Sequence, residues 1–202
     1  MTESRDNLHV MNRAALTKRL ADRLTQREAV IGGIGNSNWD LWGAGQRPEN
    51  FYMLGSMGLA APIALGVAIA QPTRRVFALE GDGSLLMQLG CLSTIAAQAP
   101  KNLVLVIWDN GIYQITGGQG TPAAAARTDF VAIARASGIA SSQWAADEAE
   151  FDALVQRALT TDGPHVIGVR TDQEPGRNQT DRDPIRFRES FMRAMADKVG
   201  TG

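Results

Sequence analysis

Cysteine is close to absent: Cys91 stands alone in 202 residues. No disulfide can form within the chain, and a reducing, cytoplasmic setting is the expectation. Histidine is nearly as scarce, and His9 and His165 show no metal-ligand spacing, which removes the zinc-site classes. Neither sign of charge dominates. A formal net charge of −1 gives no footing for nucleic acid or an acidic membrane as partner. The opening MTESRDNLHVMNRAALTKRL mixes charges throughout and has no signal-peptide core. Residues 50–73 carry no charge, and that stretch is long enough to cross a bilayer. Its glycines, Pro62 and few large aliphatic residues fit instead a helix buried between other elements, with small residues allowing close backbone approach. What is present is a core. The chain is 44% hydrophobic and 20% charged, and its length suits a single domain over 1–202.

Leu16, Leu20 and Leu24 fall four apart among Lys18, Arg19, Asp22 and Arg23, which predicts an amphipathic helix over 11–27. A short strand at 29–31 stops at Gly32 and Gly33, and a polar, glycine-rich loop runs to about residue 50. An apolar helix follows at 57–70, with Pro62 near its first turn. Then come a strand at 76–79, a helix at 85–98 and a strand at 103–108 of the kind buried on both faces. A loop at 111–127, helices at 129–137 and 147–160 and a last strand at 166–169 complete the pattern. The polar segment 171–202 has Pro175, Gly176 and Pro184, reads as a lid or docking arm, and ends in a short helix at 187–199. Alternating strands and helices imply an α/β fold, three-layer αβα with a mostly parallel central sheet. Ligands in such sheets sit at the carboxyl ends of the strands. The loops after residues 31, 79 and 108 therefore share one edge, and all are rich in Gly, Asn or Asp.

Those loops are GGIGNSNW (32–39), GDGS (81–84) and WDNGIYQITGGQG (108–120). Asp82 offers a hard anionic oxygen, Asn110 a neutral amide oxygen, and a backbone carbonyl just beyond Asn110 a third ligand. Mg²⁺ takes about six oxygens at ~2.0–2.1 Å and draws the remainder from phosphate and water. Glycines let the backbone approach a phosphate, and amides at the start of the helix after GDGS would point at its charge. The competing reading of Asp82 is a plain helix cap. A dinucleotide fingerprint is excluded, because Gly33-Ile34-Gly35 is followed by Asn36-Ser37-Asn38 with no third glycine.

GDG, then 26 residues, then Asn110, with GSMG upstream, resembles the signature of thiamine-diphosphate (ThDP) enzymes. Asp109 stands where that family has the first Asn of an Asn-Asn pair. The ligand in the family is the second position, which is kept. LGSMGLAAPIALGVA (54–68) is similar to the family segment that passes under the thiazolium ring, where a large apolar side chain holds the cofactor bent; the matching residue is Met57. The GGQ after the metal loop looks most like the sulfopyruvate and phosphonopyruvate decarboxylases, and the chain resembles in particular a separately encoded β subunit of the former.

The resemblance implies ThDP and Mg²⁺ as cofactors and decarboxylation of a small anionic 2-oxo acid to CO₂ and an aldehyde. By position it implies Asp82, Asn110 and the Ile112 carbonyl at the metal, and Gly81, Gly83 and Ser84 at the diphosphate, with Gly35 and Asn36 beside them. Gly55 and Met57 would contact the rings, while Tyr113, Gln114 and Ile115 would sit beside the cofactor and line the substrate pocket. Met57 and Tyr113 are the catalytic candidates. Family enzymes also need a pyrimidine-binding (PYR) domain, whose glutamate drives the cofactor's tautomer, and 202 residues hold only one domain. A partner α subunit carrying that glutamate is expected, in an assembly of at least α₂β₂. An acetolactate-synthase-like or benzoylformate-decarboxylase-like subunit, or a non-catalytic relative, remains open. So do plain structural roles: Met57 in the core, Tyr113 as a packed loop aromatic, Asn36 and Ser37 as turn residues. Trp39 and Trp42 would pack the first loop or an interface, and Cys91 and His165 would be structural. Arg177, Arg182, Arg186 and Arg188 are a solvated face or, alternatively, supply one arginine to the anionic substrate.

Overall fold

The computed structural model describes Arg5 and residues 8–196. Residues 197–199 of the expected C-terminal helix, and 197–202 of the expected arm, lie outside the described residues.

Six strands form one sheet in the order β2-β1-β3-β4-β8-β7, and every pairing is parallel. They are β1 (Glu28–Gly32), β2 (Asn50–Tyr52), β3 (Arg75–Gly81), β4 (Leu103–Asp109), β7 (Ser141–Ala145) and β8 (His165–Arg170). The centre of the sheet follows from its sequence. β4 is LVLVIWD and is buried at every position, which only a strand covered on both faces can be. Side chains alternate between two cores. Val76, Ala78, Leu105 and Ile107 face one layer with α3 (Ala60–Ala70), α5 (Cys91–Gln98) and α7 (Phe130–Ala136). Phe77, Leu79, Val104 and Val106 face the other, with α1 (Arg13–Ala21), α2 (Asn36–Ala44) and α8 (Glu148–Thr160). The result is the expected three-layer αβα sandwich.

The uncharged stretch is α3 in part. Ala60, Ala61, Ala64 and Ala68 are buried against the sheet. With 11 residues the helix is about 16 Å long, half of a bilayer core. No helix among the described residues is long and apolar enough to cross a membrane.

Several expected boundaries are corrected. The loop after residue 32 contains α2 and β2, the helix at 57–70 begins at Ala60, and the helix at 11–27 ends at Ala21. The helix at 85–98 is two, α4 (Asp82–Leu86) and α5, separated by a turn. β7 was read as no strand. The loop at 111–127 holds the hairpin β5 (Ile112–Tyr113) and β6 (Gln119–Gly120) and then α6 (Pro122–Ala126). The segment after residue 170 is no free arm. Thr171 bridges Met11, and α9 (Pro184–Ala196) buries Phe187 and Phe191 against Phe51 and Tyr52 of β2 and Trp42 of α2.

β1 lies between β2 and β3, so the chain leaves β1 to one side and returns to the other. That reversal opens a crevice at the carboxyl ends of β1 and β3. Gly32 is in register with Leu79, and Gly81 with Trp108, so the three following loops start level.

Candidate metal and diphosphate site

One cleft lies over that crevice. It gathers Gly35 and Asn36 from the first loop, Met57 from the segment before α3, Gly81, Asp82, Gly83 and Ser84 from the second, and Asn110, Ile112, Tyr113, Gln114 and Ile115 from the third. Gly55 is not among them. It borders a neighbouring groove with Phe51 and Phe187.

Asp82 is 1% exposed. It is not the cap of α4: Gly81 holds that position and no side chain caps the helix. Its Oδ2 accepts from the Thr121 hydroxyl at 2.6 Å. Among the described residues no cation pairs with it. Burial pushes its carboxyl above the usual range; the Thr121 bond pulls the other way and nearby Asp109 adds to the rise. A bound cation would restore the ionised form. Asn110 Oδ1 accepts from the Ile112 amide at 3.1 Å, and its Nδ2 donates to Gln114 at 3.3 Å. Among the described residues no group of three or more His, Cys, Asp or Glu could hold a metal ion. A cation here would have one carboxylate, one amide and main-chain oxygen. That set suits Mg²⁺ completed by phosphate and water, and it is too small for an all-protein cage.

The cradle for the remainder is tight. Gly35 has φ +70°, and a Cβ there would stand 3.0 Å from Ile115 Cδ1, so only glycine lets that loop close over the cleft. The segment carrying Met57 is pinned to β3 and α4. The Gly58 amide donates to Ser84 Oγ at 2.7 Å, and the Ala60 amide donates to Glu80 Oε2 at 3.0 Å. The Ser84 hydroxyl is therefore engaged with this segment. Glu80 is 1% exposed, and burial pushes its carboxyl up to about 7, against the pull of Ser84 and the Ala60 amide.

Asp109, the departure from the Asn-Asn pair, does not line the cleft. It is fully buried and accepts from Arg5 at 2.6 and 2.9 Å and from Arg170 at 3.0 Å. Arg13 was missed. It lines the cleft from the buried face of α1, with Leu16, Thr17 and Leu20, and donates to Asp40 of α2 at 2.8 Å. Its position on an otherwise apolar helix face was the available signal. Thr121 was missed as well, and only the fold brings it to Asp82.

The segment after β8 lies across the cleft's rim. Arg13 donates to the Glu174 carbonyl at 2.8 Å, Gln173 to the Asn110 carbonyl at 3.1 Å, and Gln114 to the Gln173 carbonyl. The Gly176 amide donates to Asn36 Oδ1 at 3.2 Å, so Asn36 is held by this segment. Trp39 packs on Gly176, while Trp42 meets Tyr52 and Phe187. Cys91 opens α5 with its thiol pushed up to about 11 by burial, and His165 hydrogen-bonds Ser141 at 2.7 Å, far from the cleft end of its strand.

Residues 33–169 match the family model of the thiamine pyrophosphate enzyme C-terminal TPP binding domain. The chain is 41% identical over 155 residues to a phosphonopyruvate decarboxylase of Streptomyces hygroscopicus, covering 77% of this chain but only 38% of that one. It is 44% identical over 137 residues to sulfopyruvate decarboxylase subunit beta of Methanothermobacter thermautotrophicus, covering 68% of this chain and 70% of that one. A solved Mycobacterium smegmatis protein described as thiamin diphosphate-dependent superposes with a TM-score of 0.69 at 26% identity, over 80% of this chain and 32% of that one.

Proposed function

The chain belongs to the thiamine pyrophosphate enzymes, as their C-terminal TPP-binding domain, and from that premise we propose that it is the β subunit of a two-subunit decarboxylase. The substrate is a small anionic 2-oxo acid, sulfopyruvate- or phosphonopyruvate-like, and the products are CO₂ and an aldehyde. The observation that carries this reading is that Asp82, Asn110, Ile112 and Met57 line a single cleft. Asp82, Asn110 and the Ile112 carbonyl hold Mg²⁺, and Gly35, Asn36, Gly81, Gly83 and Ser84 face the diphosphate. Thiamine diphosphate, when bound, supplies the electron sink that lets CO₂ leave. The protein's part is position and charge. Met57 supports the rings from a segment fixed by Ser84 and Glu80, and Thr121 orients Asp82. Tyr113, Gln114 and Ile115 form the wall on the substrate side.

The glutamate that acts on the pyrimidine comes from an α subunit with a PYR domain, in at least an α₂β₂ assembly. The match to sulfopyruvate decarboxylase subunit beta extends over 70% of that subunit, which supports such a division. The test is affinity isolation from native lysate with ThDP and Mg²⁺, mass spectrometry, and a CO₂-release assay on the recovered pair. A stoichiometric partner of similar size and CO₂ release from a 2-oxo acid are expected. Recovery of the chain alone, inactive on every such acid, overturns the proposal.

A further inference from the structure

Beside that cleft, and sharing Ile34, Gly35 and Ile115 with it, lies a second cavity. Its walls are apolar: Trp39, Met53, Leu54 and Ile115. Its polar lining comes from the segment before α9, where Thr180 is buried and Arg182 supplies the one formal charge among the cavity's described lining residues. No carboxylate lines this cavity to neutralise that charge.

The carboxylates flanking Arg182 in sequence are already committed. Asp181 pairs with Arg186, and Asp183 Oδ1 accepts from the Arg186 amide at 3.0 Å at the start of α9. Among the described residues Arg182 has no hydrogen-bond or ion-pair partner. Two other cations of this segment are placed differently. Arg170 serves Asp109, and Arg186 lies over Trp42 and Phe187.

We propose that Arg182 binds the distal anion of the substrate and selects 2-oxo acids that carry a second, tetrahedral oxyanion. Arg182 is exposed at the rim of this cavity, and a guanidinium presents paired donors that match two oxygens of a sulfonate or phosphonate. With the reacting end of the substrate over the cofactor cleft, beside Ile115, its far end enters this cavity. The segment after β8 then acts as a specificity element and not only as a cover. The proposal rests on the decarboxylase reading of the site.

The first experiment is calorimetric titration of sulfoacetate into the assembled two-subunit protein saturated with Mg²⁺ and ThDP, with this chain unaltered or carrying the substitution. Binding is expected, weakened about 10- to 100-fold in Arg182→Gln and partly restored in Arg182→Lys. Equal affinity in all three, or no binding to the unaltered protein, overturns the proposal. The second, on the assembled two-subunit enzyme, compares kcat/KM for sulfopyruvate with that for pyruvate. The ratio should fall about 10- to 100-fold in Arg182→Gln, through KM; an unchanged ratio means a structural role and also overturns it. If the unaltered enzyme turns over neither acid while sulfoacetate still separates the variants, the decarboxylase reading fails and the anion site stands.

Discussion

At the scale of single residues the site depends on two buried carboxylates held in opposite ways. Asp82 is buried with one oxygen on Thr121, and among the described residues no cation pairs with it. Thr121→Val should therefore weaken Mg²⁺-dependent ThDP binding by about 10- to 100-fold, the usual cost of losing a group that orients a ligand. Thr121→Ser should restore it. Titration calorimetry with Mg²⁺ and ThDP reads this directly, and a Val variant with unaltered affinity removes Thr121 from the site. Glu80 instead holds the start of α3. Its pKa is raised from 4.5 to about 7. Between those values the unfolded chain ionises it and the folded chain keeps it protonated. The protonated form's stabilisation is thus fully present below 4.5 and is lost as pH rises through 7. Urea melts of the chain without ligands should show that fall, and Glu80→Gln should flatten it. An identical slope in the variant would mean another group carries it. Asp82 and Asn110 were legible because a fixed spacing carries their chemistry. Arg13 and Thr121 were not, since each acquires its meaning from a partner far along the chain, Asp40 and Asp82.

At the scale of elements, the misread parts are those that bury polar residues. α2 buries Asn36, Ser37, Asn38 and Asp40 and so shows no apolar period. The segment after β8 and Arg13 supply partners for two of them: Asn36 accepts from the Gly176 amide at 3.2 Å, and Asp40 accepts from Arg13 at 2.8 Å and from the Arg177 amide at 3.0 Å, while Asn38 donates to the Met53 carbonyl. β7, SSQWA, is a short edge strand that alternates polar with buried residues, which five residues state too weakly to read. The central strands, covered by helices on both faces, were plain for the opposite reason. Asp40→Ala tests the polar seam. It leaves the Arg13 charge buried, with side-chain exposure of 3%, and should cost about 3–5 kcal/mol. Denaturant unfolding measures this, and a loss below about 1 kcal/mol, the range of exposed pairs, would show that water reaches the pair.

At the scale of the whole molecule the question is what closes the open side of the cleft. The residues proposed for the metal and the diphosphate, and Met57, line that cleft. Leu54, Met87 and Ile115, each between 42% and 51% exposed, stand apolar in solvent. Leu54 and Ile115 border the same cavity, and such apolar surface beside a cleft is more than scattered exposure. A half-built site binds weakly, because ring contacts that should add to the diphosphate's are missing. ThDP with Mg²⁺ should therefore hardly raise the melting temperature of this chain alone. With the α subunit present, ligand at about 100 times Kd adds ~2.7 kcal/mol. For chains of this length that is roughly 5–10 °C. Thermal melts of each chain and of the mixture, with and without ligand, separate the cases. A full shift in this chain alone would mean that its cleft is complete without the partner, and the two-subunit division would fall with it.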